Sequence, residues 1–275
     1  MYDRIKLLGN AQDAGRPQIG CTQKCCTDAR KNSSLSRMPV SLGLQGETYG
    51  LVEATKSIGD QLSLMGNAMI DELWLTHAHL GHIEGLGQFG REALNSKNIK
   101  LRCSDSVVDY TMNHPIWKKL IERGNLTFAK FQSENIIPIE VPHRARDFDT
   151  HAILFKGQTN NLFFLPDHDT WEKTLDFVGY DNPREWFSSL DASIILLDGT
   201  FWDSNELKGR IQADVPHPPV SETLDLIGRR EDGDPRIIFI HLNHTNPLHY
   251  PNSPEYQKLS DLGWEVGEEG REFKL

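Results

Sequence analysis

Residues 73 to 87 read "LWLTHAHLGHIEGLG", an apolar run that breaks into three imidazoles, His77, His79 and His82, with Gly81 directly ahead of the third. The apolar run suits a buried strand. Side chains alternate faces along extended chain, so the two rings of a His-x-His pair point the same way. A third histidine at the start of a helix turns back toward that pair. Neutral imidazole is a strong ligand for zinc, manganese or iron, so the cluster points to a metal centre at a strand end. The competing reading is a polar turn with solvated histidines.

The same arrangement recurs along the chain. Polar residues sit directly after apolar runs in "IIPIEVPHR", "LFFLPDHD", "SIILLDGT" and "RIIFIHLNH". With "IKLLG", "TYGLVEA", "IKLRC" and "HAILFKG" these runs predict strands of a largely buried sheet. Helical patterns fit residues of roughly 83–95, 106–122, 171–179 and 220–230. Strands followed by helices predict an α/β domain with helices outside packed sheets, and the strand ends gather functional groups at one rim.

Composition is that of a soluble globular chain: 275 residues, 38% hydrophobic and 25% charged. No apolar run reaches the ~18–20 residues a membrane span needs. The start, "MYDRIKLLGN", reads as a first strand, not a secretory signal, so a cytoplasmic location is expected. A net charge of −10 offers no basic face to nucleic acid, and neither nucleic acid nor membrane is an expected partner. A small-molecule substrate is expected. An anionic one is compatible with the acidic chain, because a bound metal dominates its local field. Cys21, Cys25 and Cys26 cluster in "CTQKCC", with Cys103 far away. In a chain this long the cluster reads as metal ligation in a reducing compartment: three thiolates of a tetrahedral zinc site, or else one or two buried structural cysteines. Cys25 and Cys26 are adjacent, so one of them is a candidate bystander.

"THAHLGH" resembles the HxHxDH signature of the metallo-β-lactamase superfamily. His143 in "VPHR", Asp167 in "FFLPD" and His241 in "FIHLNH" follow in the order of that superfamily's remaining ligands. Within it, "LLDGTFWDSNEL", "PHPPVSETL" and "HLNHTNPL" resemble most the pyrroloquinoline quinone biosynthesis B group, and the bacterial phosphonate-breakdown phosphodiesterase is a second relative by pattern. The resemblance implies a four-layer αβ/βα sandwich over residues 1–275, a single domain with a cysteine zinc knuckle near its start. It implies one metal on His77, His79 and His143, a second on His82 and His241, and Asp167 bridging them, the ions being zinc, manganese or iron and one or two in number. Gly81 departs from the pattern, because the superfamily has an aspartate there that ligates the second metal. Three outcomes follow: a weak or empty second site, replacement by another carboxylate such as Asp169 or Asp198, or an extra water on the metal. One tight metal and a weaker second are expected.

By the same resemblance His244, three residues after His241, is the fourth ligand of the knuckle. His217 in "VPHPPV" is a candidate general acid, Asp198 a carboxylate that orients a ligand histidine, and Arg144 a planar fork for a substrate carboxylate or phosphate. The loop "GNAQDAGRPQIG" is a candidate lining of the site but lacks nucleotide-binding spacing. The expected activity is a metal-dependent hydrolase acting on a phosphodiester, ester or lactone through metal-bound hydroxide, with Asp167 and His217 as its catalytic residues. The alternatives are a non-haem iron oxygenase, favoured by the missing aspartate, and a non-catalytic metal-binding protein.

Overall fold

The computed structural model describes residues 1–207 and 215–275. Seven strands form one sheet: β1 (Tyr2–Gly9), β2 (Ser41–Gly46), β3 (Tyr49–Val52), β4 (Glu72–Trp74), β5 (Ile99–Arg102), β6 (Leu126–Ala129) and the final strand Glu272–Lys274, which pairs with β1. The second sheet has six: β7 (Ile136–Val141), β8 (Thr150–Lys156), β9 (Asn161–Leu165), β10 (Ile194–Asp198), β11 (Arg236–Ile240) and β12 (Glu265–Val266).

Three apolar clusters explain the layering. One lies between the sheets and joins Leu7, Leu42 and Trp74 to Phe164, Leu196 and Ile238. The other two seat helices on the outer faces. Ile58, Val107 and Leu120 pack on the first sheet, and Trp171, Trp186 and Leu224 pack on the second. The central strands are apolar along their inner positions, LFFL in β9, IILL in β10 and IIFI in β11, because both faces are covered. Along β10, Ile194 and Leu196 face the other sheet while Ile195 and Leu197 face the helices. Burying one such side chain stabilises by about 1.5–3 kcal/mol. This is the αβ/βα sandwich that the resemblance implies.

Direction of travel sets the rim. β9, β10 and β11 run parallel, and β7 runs the same way because two antiparallel pairings separate it from β9. β3 and β4 are parallel, and β1 runs with them for the same reason. The segments after β1, β3, β4, β7, β9 and β11 carry Asp13, Glu53, His77, His143, Asp167 and His241, and Asp198 is the last residue of β10.

The helical expectations need three corrections. The segment of roughly 83–95 starts earlier, as one α turn at Leu80–Ile83, and tightens into a 3-10 stretch at Glu84–Phe89. This segment packs closely on the chain after β3: Gly85 N–H donates to the Ala54 carbonyl at 2.8 Å, and a Cβ on Gly85 would lie 2.1 Å from the Thr55 carbonyl oxygen. The segment of roughly 106–122 is two helices, Asp105–Asn113 and Pro115–Glu122, because Pro115 drives His114 out of helical conformation. The last helix runs Val220–Ile227 and stops at Gly228, which has φ +62°. The helix Trp171–Val178 stands where the pattern placed it. A helix at Lys24–Lys31, unforeseen, carries two of the clustered cysteines.

Candidate active site

At the rim His77, His79, His82, His143, Asp167, His217 and His241 converge within one cluster. His77, His79 and His143 form one group of potential ligand atoms, all within 4.8 Å of one another. His77 Nε2 lies 2.9 Å from His79 Nδ1, and the His79 and His143 rings are centred 5.1 Å apart. Asp13, His82 and His241 form a second group. Asp167 lies between the two: its Oδ1 is 3.8 Å from His143 Nε2 and 3.7 Å from His241 Nε2, and its Oδ2 is 3.3 Å from His82 Nε2.

Asp13 is the residue that sequence reasoning missed. Its Oδ1 lies 3.4 Å from both His82 Nε2 and His241 Nε2. Its loop is stitched to the histidine-bearing segment through Gln12 N–H to the Leu242 carbonyl (2.9 Å) and Leu242 N–H to the Asn10 carbonyl (2.8 Å). A Cβ placed on Gly81 would fall 2.3 Å from Asp13 Cγ. The two carboxylates proposed from sequence as replacements at this point are engaged elsewhere. Asp169 accepts from Lys173 Nζ at 3.1 Å and from Thr170 N–H at 2.7 Å, while Asp198 is bound to His217 and Thr200.

Buried partners fix the ring orientations. Glu53 accepts from Thr76 Oγ1 at 2.5 Å, Thr76 meets His77 Nδ1 at 2.9 Å, and Glu53 Oε1 lies 3.4 Å from His82 Nδ1. On the other sheet Asp198 Oδ2 is 2.6 Å from His217 Nδ1, and Thr200 Oγ1 links Asp198 (2.7 Å) to His241 Nδ1 (2.8 Å). Asp198 therefore stands directly behind His217, and behind His241 through Thr200. Glu53 and His241 both take left-handed backbone, φ 67° and 59°, which costs a non-glycine residue about 1–3 kcal/mol and concentrates at functional sites.

Charge distribution favours a bound cation. Burial, reinforced by neighbouring imidazoles, holds His77 well below the ordinary histidine range and His143 down to about 3, so both stay neutral and able to ligate. Burial alone would raise the Asp13 and Asp167 carboxyls, but the histidines facing them bring both below the usual range. Burial would likewise lower His217, yet the Asp198 carboxylate overcomes it and raises the imidazole. Among the described residues His143 Nδ1 and Asp167 Oδ2 are enclosed without a hydrogen bond. Each orphaned group costs about 1–3 kcal/mol. An ion held by imidazoles and carboxylates offsets that at Asp167 Oδ2 directly, so the donor set fits a metal.

A separate corner holds the cysteines. Cys25 and Cys26 Sγ each lie 3.4 Å from His244 Nδ1, Cys21 Sγ lies 3.8 Å from it, and the sulfurs of Cys25 and Cys26 are 3.9 Å apart. A tetrahedron with Zn–S bonds of ~2.3 Å has edges of about 3.8 Å, so all four atoms fit one zinc ion. Adjacency makes neither Cys25 nor Cys26 a bystander by this geometry. Burial and the neighbouring sulfur push the Cys25 thiol up to about 12, a penalty that a bound cation removes. Cys103 is buried elsewhere.

A cleft of about 690 Å³ opens between the two clusters, lined by Asp13, Cys21, Arg144, Phe201, Glu206 and Asn243 among others. Arg144 lies on its wall; burial holds the His79 imidazole below the ordinary range, with a smaller contribution from the Arg144 charge. Asp169 Oδ2 pairs with Lys173 Nζ at 3.1 Å. His168 binds Thr174 at 2.9 Å and His249 meets the Asn243 carbonyl at 3.0 Å; both are structural contacts. No helix among the described residues is long and apolar enough to cross a membrane.

No family model matches the sequence. Coenzyme PQQ synthesis protein B of Methylococcus capsulatus is 23% identical, the alignment covering 98% of this chain and 99% of that protein. Among solved structures, Zn(2+)-bound PqqB from Methylobacterium extorquens matches with TM-score 0.71 at 17% identity, covering 99% of this chain and 100% of that one. A diphosphatase from the PhnP family matches at 0.65 and 17%, covering 100% and 98%. The metallo-beta-lactamase fold protein YhfI from Bacillus subtilis matches at 0.64 and 13%, covering 100% of each chain. The chain thus has the metallo-β-lactamase fold and is similar over its full length to the coenzyme PQQ synthesis B proteins.

Proposed function

We propose that the chain is a metal-dependent hydrolase, with a phosphodiester as the favoured substrate class and an ester or lactone within the same chemistry. The observation that carries this reading is the position of Asp167, which reaches His143 of one ligand group at 3.8 Å and His82 and His241 of the other at 3.3 and 3.7 Å, and is faced by a histidine backed by a carboxylate. His77, His79 and His143 would hold one ion; His82 and His241 would hold the second, with Asp167 between. Zinc, manganese or iron bound there supplies Lewis-acid polarisation and lowers the pKa of water from about 15.7 toward ~7. Cys21, Cys25, Cys26 and His244 would hold a structural zinc.

The remaining work falls to the chain. Asp167 accepts a hydrogen bond from the attacking water and orients it. His217 Nε2, 4.0 Å from Asp167 Oδ1, protonates the leaving oxygen, and Asp198 keeps that imidazole charged and aligned. Arg144 on the cleft wall meets an anionic ester. The PhnP-family neighbour named as a diphosphatase is in keeping with phosphate chemistry. Four free cysteines suit a reducing, cytoplasmic setting. The missing aspartate at position 81 is the one feature that favours the non-catalytic reading and part of what favours the oxygenase reading, and a carboxylate stands beside that position.

The test compares leaving groups on metal-loaded protein. His217→Gln should slow cleavage of an alkyl phosphodiester by about 10²–10⁴-fold and cleavage of bis(p-nitrophenyl) phosphate far less, because nitrophenolate leaves unprotonated. Equal losses on both substrates remove His217 as the acid. Absence of ester or phosphodiester turnover with zinc, manganese or iron, together with dioxygen consumption by the iron form, overturns the hydrolase reading.

A further inference from the structure

We infer that Asp13 is the carboxylate ligand of the second metal position, supplied by the loop after β1 in place of the residue at 81, and that Gly81 is the opening that admits it. The inference rests on reading the histidine cluster as a metal centre. Asp13 Oδ1 is equidistant, at 3.4 Å, from the Nε2 atoms of His82 and His241, the two imidazoles that otherwise have only Asp167 as a shared carboxylate. The three atoms nearest a hypothetical Cβ at position 81 are all Asp13 side-chain atoms, at 2.3, 2.4 and 2.5 Å. No real Cβ tolerates such contacts, so positions 13 and 81 cannot both carry a side chain on this backbone. One hard anionic oxygen occupies the volume, and it arrives from a different strand end.

Delivery from the loop has a structural consequence. Asp13 keeps 36% of its side-chain surface and lines the cleft. The same loop runs on from Gly15, at φ +66°, to Cys21 of the cysteine corner. Backbone pairing of Arg16 with Arg37, 2.8 and 2.7 Å in the two directions, holds it in between. The second metal position is thereby anchored to the N-terminal loop as well as to the helix after β4.

The experiment measures bound metal by elemental analysis and metal affinity by titration, on the full chain loaded with zinc or manganese. Asp13→Asn keeps the shape and removes the charge. It should lose about one equivalent of metal, or bind it about tenfold or more weakly, with the knuckle zinc and the first metal retained. Gly81→Asp alone should fail to restore a normal site, because it collides with Asp13. The exchange Asp13→Gly with Gly81→Asp should recover the lost equivalent. Unchanged stoichiometry and affinity in Asp13→Asn overturns the ligand role; loss in Asp13→Asn without recovery in a folded exchange variant overturns the substitution of one position by the other. A wild type that carries metal only at the cysteines ends the metal-centre reading itself, an outcome distinct from either.

Discussion

Two clusters in this molecule could each hold metal, and they are built in opposite ways. The cysteine corner draws three of its four donors from one short stretch, Cys21 to Cys26, and needs only His244 from elsewhere. Its four donors would complete a tetrahedron around one zinc ion and leave no position for a substrate. The histidine cluster draws its donors from the ends of strands in both sheets, contains more of them than one ion uses, and opens on a cleft. His241 and His244, in one segment, serve the two clusters separately. A closed tetrahedral site stabilises structure; an open one with spare donors performs chemistry.

That contrast yields predictions of descending size. Asp167→Ala should reduce turnover by at least about 10³-fold while the cysteine corner keeps its zinc and the fold survives; substantial retained activity would break the contrast at its strongest point. Cys26→Ser should do the converse. It should lose the knuckle metal and lower thermal stability, since structural zinc contributes directly to folding. Calorimetry with parallel metal analysis checks this, and an unchanged melting temperature contradicts a structural role. Glu53→Gln acts one layer further out. Weakening the contact that aligns His82 should lower affinity for the second metal by about 10–100-fold, measured by competition with a chelator, without disturbing the knuckle. If affinity holds, the buried Glu53–Thr76 pair serves the fold alone.

How much of this could be read beforehand differs between the two clusters as well. The His-x-His pair announced itself because strand periodicity converts spacing into direction, and His143, Asp167 and His241 followed from the ligand order that the resemblance implies, each standing at the end of an apolar run. Layering was legible for the same reason: runs such as "SIILLD" have no polar face. Asp13 was not legible. It lies in a loop with no period, and its partner position is empty of side chain, so only three-dimensional proximity links it to Gly81. The local signal was present in "AQDAG", an acid beside a glycine in a loop already suspected of lining the site. Whether Cys25 and Cys26 could share one site stayed open in the sequence for want of one fact, the helix Lys24–Lys31. Its first turn sets both sulfurs within reach of one imidazole. Glu53 was invisible because a buried glutamate after a strand has no motif; its left-handed backbone is what marks it.

The central claim is that the strand ends of two sheets assemble a metal centre in addition to the one at the cysteines. Anomalous diffraction from crystals of the metal-loaded protein, collected above and below the zinc and manganese edges, tests it directly. The account predicts one peak among Cys21, Cys25, Cys26 and His244, and density enclosed by His77, His79 and His143, with a further peak between His82, His241, Asp13 and Asp167. A single peak at the cysteines, with the imidazoles bound only to one another and to water, contradicts it.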